Sequence, residues 1–524
     1  MFAHQKKYTK CVPYILFSLT LLFTGCGENS ENKNTSNHTV SPISTPSYNL
    51  NGIEYLGVSE LSKKIQDENI SSRAIVQYYM NRIAALDKSG PNLNAVIELN
   101  PDALVLADQL DLERKQGKSR GPLHGIPVLI KDNIDTADKM QTSAGSLAMI
   151  GQPALNDAFI VKKLREAGAI IIGKTNLSEW SFFRDDELPN GWSGRGGQTK
   201  NPFILSKTPC GSSSGSAVAV SAGFSPISVG TETDGSIICP AEKNGVVGIR
   251  PTLGFVSRSG IIPITPTQDT AGPIARNVYD AALLLNVLVG TDSQDQITQH
   301  ASQYATDFTQ SLKEDGLKGK RLGYSNENKI GGSSPFEKAL EIMQQKGAIL
   351  IPLEASDVNT GLIFEERNKI FAIDFKHHVN RYLSTRKGLK IQSVAELIAF
   401  NQHTPGRLPN GNIARQQSIE AAEKTTLNEA EHQTKFNLYK QEAQKSIDLL
   451  IDPYRLDAII GEELAEFAAT AGYPGITVPS SMHNNLPTGI YFVAKPWQEA
   501  NLLSIAYGYE QATKARRNPT FLQQ

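Results

Sequence analysis

Residues 210–252 read CGSSSGSAVAVSAGFSPISVGTETDGSIICPAEKNGVVGIRPT. Glycines and serines crowd the opening CGSSSGS and return in Gly230-Thr-Glu-Thr-Asp-Gly-Ser236. Between the clusters stand a run of small helix formers, residues 217–222, and the apolar run Ile227-Ser-Val229, which reads as a short strand. A helix and strand that fold back on each other bring the two Gly/Ser turns together. Hydroxyls and free backbone N–H groups then share one small volume, an arrangement that suits nucleophilic attack beside an anion-binding nest. The same composition fits two tight turns whose serines cap helices, and composition alone leaves both readings open.

Outward from this stretch, helices alternate with short apolar runs. Residues 59–87 have helical spacing (Leu61, Ile65, Ile75, Tyr79, Ile83), and residues 157–167 form another helix that leads through Gly168 into a buried strand at 169–172. Further strands are expected at 128–130, 458–460, 476–478 and 490–493, and the charged stretch 418–450 reads as one long helix with a solvated face. The pattern predicts an α/β protein with a mixed central β-sheet covered on both faces by helices. No fixed-period repeat and no internal linker interrupts it, so residues 51–524 read as a single large domain.

The chain has 524 residues, 40% hydrophobic and 20% charged, with 4 Cys. That is ample for a large core without staples, and it excludes a coiled coil, a polytopic membrane protein and a disulfide scaffold. The formal charge of -1 gives no overall positive field to hold nucleic acid, so no such partner is expected.

The N-terminus reads as an address. Lys6, Lys7 and Lys10 precede an apolar stretch, residues 12–23, that is short for a permanent membrane span. Residues 1–25 are therefore expected to be a secretory signal. The stretch ends in Phe23-Thr-Gly-Cys26, which resembles a bacterial lipobox in which the cysteine is acylated, with Phe23 where Leu is usual. Cys26 is thus the expected lipid anchor, the protein an exported lipoprotein of the cell envelope, and residues 26–50, polar and rich in Asn, Ser, Thr and Pro, a flexible tether.

Two motif matches compete with the Gly/Ser turns. Gly168-Ala-Ile-Ile-Ile-Gly-Lys-Thr175 satisfies the phosphate-loop pattern, but its interior is β-branched and a helix precedes it, so a core strand is the better reading. Gly211-Ser-Ser-Ser-Gly215 satisfies G-x-S-x-G and would make Ser213 a nucleophile with His403, His432 or His483 as base. That motif needs a strand just before the serine, and Ser206-Lys-Thr-Pro-Cys210 is poor strand material. The 9 His show no convincing metal spacing, so neither a metal nor another cofactor is expected.

Several ordered segments resemble the amidase signature family, hydrolases with a Ser-Ser-Lys triad. Besides residues 210–252 these are Leu123-His-Gly-Ile-Pro-Val-Leu-Ile-Lys-Asp-Asn133, residues 168–180, Gln268-Asp-Thr-Ala-Gly-Pro273 and Gly472-Tyr-Pro-Gly-Ile-Thr-Val-Pro479. The resemblance implies Lys131 as the catalytic lysine, Ser236 as the nucleophile and Ser212 as the bridging serine, preceded by a cis peptide bond. It further implies an oxyanion hole built from the backbone N–H groups of Thr233, Asp234, Gly235 and Ser236. Asp234 stands where the commoner family pattern has glycine, so its carboxylate must point away or be paired.

The chemistry is legible beside the resemblance. A lysine accepts a proton only when neutral, so Lys131 must be desolvated or placed near other positive potential, and Val128-Leu-Ile130 just before it supplies part of an apolar surrounding. A lone lysine there would otherwise be read as salt-bridged to Asp132 or Asp135. The variants in both turns are similar to those of peptide amidases, the branch of the family that removes C-terminal amides from peptides. The expected activity is therefore hydrolysis of peptide amides or related small carboxamides through an acyl-enzyme, with release of ammonia. Hydrolysis of fatty-acid or aryl-acyl amides is the alternative within the family. An exported binding protein on an inactive scaffold is the alternative outside it, opposed by the presence of Lys131, Ser212 and Ser236 together. The tRNA-amidating subunit that shares the signature works inside the cell, against the secretory N-terminus. Cys210 and Cys239 are expected to be buried thiols, since the resemblance implies no bridge.

Overall fold

In the computed structural model, residues 48, 50–67, 70–325, 334–354, 361–426, 429–461 and 464–523 are described. The expected signal segment, Cys26 and all of the tether except Tyr48 and Leu50 lie outside them. From Tyr48 onward the chain forms one unit.

The Gly/Ser-rich stretch folds as a helix, Ser214–Ala222, followed by a strand, Ile227–Glu232. Every residue of both is buried. Ser, Gly, Ala and Val suit the helix because its surroundings leave no room for more. A Cβ at Gly215 would stand 2.3 Å from the Ala95 carbonyl oxygen and 2.4 Å from that of Asn176, so only glycine admits this close approach.

Thirteen strands lie among the described residues: β1 Val96–Leu99, β2 Pro127–Lys131, β3 Ile170–Thr175, β4 Trp192–Ser193, β5 Gly197–Gln198, β6 Ile227–Glu232, β7 Val247–Arg250, β8 Thr270–Ala275, β9 Arg321–Ser325, β10 Ile349–Leu353, β11 Ala458–Ile460, β12 Gly475–His483 and β13 Leu486–Val493. β4 and β5 pair with each other, and the other eleven form one sheet in the order β1-β3-β2-β6-β8-β7-β12-β13-β11-β9-β10. β3, β2 and β6 run parallel, as do β11, β9 and β10, while the strands between are antiparallel. The mixed α/β sheet is the expected architecture. β2, β3, β6, β7 and β8 are buried along their whole length, as strands covered on both faces are.

The expected strands at 128–130, 169–172, 458–460, 476–478 and 490–493 coincide with β2, β3, β11, β12 and β13 to within a few residues. The helical segments are more divided than their periodicity suggests. Residues 59–87 form two helices, Val58–Asp67 and Ser72–Leu86, the second opened by Ser71, whose side chain accepts from the Ala74 N–H. Residues 418–450 likewise split into Gln417–Lys424 and Glu429–Ile451, with Thr425 extended after the first. A long helix, Gly361–Thr385, was not legible in the sequence. It packs Phe375, Val379 and Leu383 into a cluster with Trp180, Ile264 and Leu397 that stands apart from the main core of the sheet.

Candidate active site

Lys131 ends β2, and the register Ile130↔Val229 between β2 and β6 sets it beside Thr231. The side chain is fully buried. Its Nζ lies 2.8 Å from Ser212 Oγ, 2.8 Å from Thr231 Oγ1 and 3.2 Å from the Thr231 carbonyl oxygen. Asn133 Nδ2 donates to the same Thr231 hydroxyl at 3.0 Å. Burial pushes the Lys131 amine down to about 7, against the upward pull of the Asp269 and Glu232 carboxylates.

Neither neighbouring aspartate holds this lysine. Asp132 pairs with Arg195 at 3.3 Å and accepts from Ser143, while Asp135 pairs with Arg386 at 3.1 Å and accepts from Tyr382 at 2.8 Å. The ordinary salt-bridge reading of Lys131 is thereby removed.

Ser212 is fully buried and follows a cis peptide bond from Gly211, as the resemblance implied. Its carbonyl accepts from the Ser178 N–H at 3.1 Å, and the next residue's N–H donates to the Ser236 carbonyl at 3.1 Å, so the two Gly/Ser turns meet. Beyond β6 the chain turns through Thr233, Asp234 and Gly235, which has φ 74°, to Ser236 at the foot of the helix Ile238–Lys243. Glu232 fixes this turn: one carboxylate oxygen accepts the N–H groups of Ile237 and Ile238 at 2.7 and 3.0 Å, and the other faces Arg250 at 3.4 Å. Asp269 holds the far side, taking the Thr233 hydroxyl and the N–H groups of Ile264 and Thr265. Burial raises the Asp269 carboxyl to about 6 despite these donors.

A cavity of about 480 Å³ opens over Ser236, Thr233 and Asp234. Phe182, Phe183, Ile264 and Phe371 give it an apolar wall. Trp180, Ser181 and Phe182 stand at φ 54°, 54° and 77°, a left-handed run that non-glycine residues adopt only where packing enforces it. Phe183 stacks on Phe375 at 4.3 Å, which anchors that run to the Gly361–Thr385 helix. Asp234 lines the cavity; the Tyr491 phenol is pushed up chiefly by burial and then by the Glu232 carboxylate, with Asp234 adding a smaller share.

The competing readings fare differently. Ser213 is buried and donates its hydroxyl to the Thr231 carbonyl at 2.9 Å. His403 contacts the Ala399 carbonyl at 2.7 Å, His432 contacts Asp374 at 2.6 Å, and His483 lies exposed at the end of β12; none of the three hydrogen-bonds to Ser213. The phosphate-loop match is strand β3, where Lys174 is buried and donates to the Ile134 carbonyl at 2.6 Å and Thr142 Oγ1 at 3.0 Å. One expectation is corrected. Cys210 and Cys239 are partly exposed and joined in a disulfide, their Cα atoms 5.9 Å apart. The meeting of the two turns brings them within bridging distance, which a separation of 29 residues did not reveal. Thr231, Asn133 and Asp269 were also missed as site residues, although all three lie in or beside the segments that carry the resemblance.

This fold and this set of groups define an amide-bond hydrolase, and the chain belongs to the amidase signature family: the family described as Amidase matches residues 74–503. Among curated relatives, a probable amidase of Arabidopsis thaliana is 39% identical over 480 residues, 90% of this chain and 92% of the relative. Among solved structures, the native peptide amidase from Stenotrophomonas maltophilia is 43% identical with a TM-score of 0.83, covering 89% of this chain and 98% of its own. The peptide amidase in complex with the competitive inhibitor chymostatin is 42% identical with a TM-score of 0.83, covering 88% and 99%.

Proposed function

We propose that the protein hydrolyses C-terminal amides of peptides through a relay of Lys131, Ser212 and Ser236. The observation that carries this reading is a buried amine, brought down to about 7, at 2.8 Å from the Ser212 hydroxyl. As a cation, Lys131 has three N–H donors for the three oxygens around it. As a neutral amine it has two, which the oxygens of Thr231 accept, and its lone pair is left for the Ser212 proton. Ser212 in turn takes the proton of Ser236, whose oxygen attacks the amide carbonyl. The N–H groups of Thr233, Asp234, Gly235 and Ser236 receive the oxyanion. The relay run in reverse protonates the leaving amine, and water releases the acyl group from Ser236.

Two features favour a peptide carboxamide over a fatty or aryl amide. The likeness to peptide amidases extends over nearly nine-tenths of the chain, and one of those enzymes is held by the competitive inhibitor chymostatin. The cavity also joins its apolar wall to the polar side chains of Asp186, Asp234, Glu466, Asn368 and Gln417, which suit the repeated amide groups of a peptide better than the bare hydrocarbon of a fatty or aryl amide. A panel of peptide, fatty-acid and aryl amides, read by ammonia or amine release, tests the assignment. Ammonia from amidated peptides is expected, and brisk turnover of lipid or aryl amides without it refutes the reading.

We further propose that residues 1–25 are a secretory signal and that acylated Cys26 tethers a domain of residues 51–524 to the cell envelope. The charge and apolar pattern of the N-terminus supports this. Acyl labelling that persists in Cys26→Ser refutes it.

A further inference from the structure

The Cys210–Cys239 disulfide has no part in the relay, yet it spans the two turns on which the relay stands. Cys210 lies two residues before Ser212, and Cys239 three residues after Ser236. Each turn is anchored separately. The Ser212 side is held through the Ser178 N–H, and the Ser236 side through Glu232 and through the Cys239 N–H, which donates to the Gly235 carbonyl at 2.9 Å. Across the gap run hydrogen bonds from the Ser213 N–H to the Ser236 carbonyl, from the Ser213 hydroxyl to the Thr231 carbonyl at 2.9 Å, from the Thr231 N–H to Ser213 Oγ at 3.2 Å and from Asn244 Nδ2 to the Pro209 carbonyl at 2.8 Å. The disulfide adds a covalent tie that no hydrogen bond replaces. A relay of two proton transfers depends on that gap more steeply than the fold does, since a misplacement of about 1 Å costs on the order of 10²-fold in rate.

We propose that Cys210 and Cys239 are positioning residues of the site, their bond fixing the separation of the Ser212 and Ser236 turns, so that a dithiol reductant lowers turnover without unfolding the chain. This rests on the relay proposed above. Both cysteines are partly exposed, so a reductant reaches them. A thiolate of the dithiol attacks one sulfur and expels the other as thiolate. Its second thiol then displaces the remaining cysteine, leaving two cysteine thiols and a cyclic oxidised reductant, a transfer of two electrons and two protons. Neither cysteine lies in a strand of the eleven-stranded sheet or among the residues of its main core. An exported protein meets an oxidising compartment in which the tie forms and persists, in keeping with the proposed secretory N-terminus.

The test uses the full chain, with and without dithiothreitol, beside Cys210→Ala/Cys239→Ala, and reads kcat, KM, the pH profile of kcat/KM and Tm. On reduction, kcat is expected to fall on the order of 10²-fold with KM unchanged and the protein still folded at assay temperature. The pH midpoint should stay near 7, because Lys131 remains buried. Reoxidation should restore the rate, and the double variant should be slow and indifferent to reductant. Full kcat in the reduced enzyme or the double variant overturns the proposal, as does a loss that appears only with melting or with an upward-moving pH midpoint, the sign of a hydrated Lys131. Ser236→Ala in parallel separates the two ideas: if that variant stays active the relay itself fails, and if it is dead while the cysteine variant is fast only the clamp fails.

Discussion

The amine of Lys131 and the hydroxyl of Ser212 are 2.8 Å apart in a region with no access to solvent for either side chain. The contact joins the end of a core strand to a turn that lies 81 residues further along the chain, and burial makes a proton acceptor of a group that is ordinarily charged.

The pH dependence follows from that burial. In the proposed relay the amine works only when neutral, so kcat/KM should rise through about 7 and hold a plateau above it, lost again as pH falls. A profile flat from about pH 5 to pH 9 would contradict it. Stability carries the opposite penalty. With its folded value below the ordinary 10.5, Lys131 disfavours the folded state fully below about 7, and the penalty fades as pH rises toward 10.5. The stability gained by Lys131→Met relative to the native protein should shrink over the same interval, as chemical denaturation at several pH values would show.

Ser236→Ala should abolish amide hydrolysis, and Ser212→Ala should cost roughly 10²–10⁴-fold in kcat, the worth of a positioned proton carrier. His403→Ala and His483→Ala should turn over normally. His432→Ala removes one partner of buried Asp374, which keeps the hydroxyls of Thr265 and Thr267, so about 1–3 kcal/mol of stability should go while kcat is kept. Steady-state kinetics beside a denaturant titration checks the set, and dependence of kcat on any of these histidines would reinstate the competing triad.

At Gly235 the backbone has φ 74°, and nothing lies within 4 Å of the position a Cβ would take. The cost of Gly235→Ala is therefore conformational, about 1–2 kcal/mol, and it falls on the turn proposed to receive the oxyanion. Turnover should drop more than Tm implies; equal losses in folding and rate would speak against that role.

The pair Arg250–Glu232 is wholly buried. Truncating Arg250 to Ala strands the carboxylate that fixes the N–H groups of Ile237 and Ile238, and should destabilise the protein by about 3–5 kcal/mol. Urea unfolding measures it.

The sequence by itself determined the α/β class, the positions of β2, β3, β6, β11, β12 and β13, and the two turns that meet beside Lys131, because buried strands are written as short apolar runs and tight turns as Gly/Ser clusters. It also marked Lys131 as set in apolar surroundings. It did not divide the helices at Ser71 and Thr425, where single caps and extended residues override a continuous apolar period. Only the tertiary structure decided which groups meet. That Asp132 and Asp135 turn to Arg195 and Arg386, leaving Lys131 to Thr231 and Ser212, depends on strand register and on side chains distant in the chain. The Cys210–Cys239 bond and the wall that Phe371 adds to the cavity arise in the same way: both are contacts between segments whose approach is set by packing of the whole sheet, which no local pattern encodes.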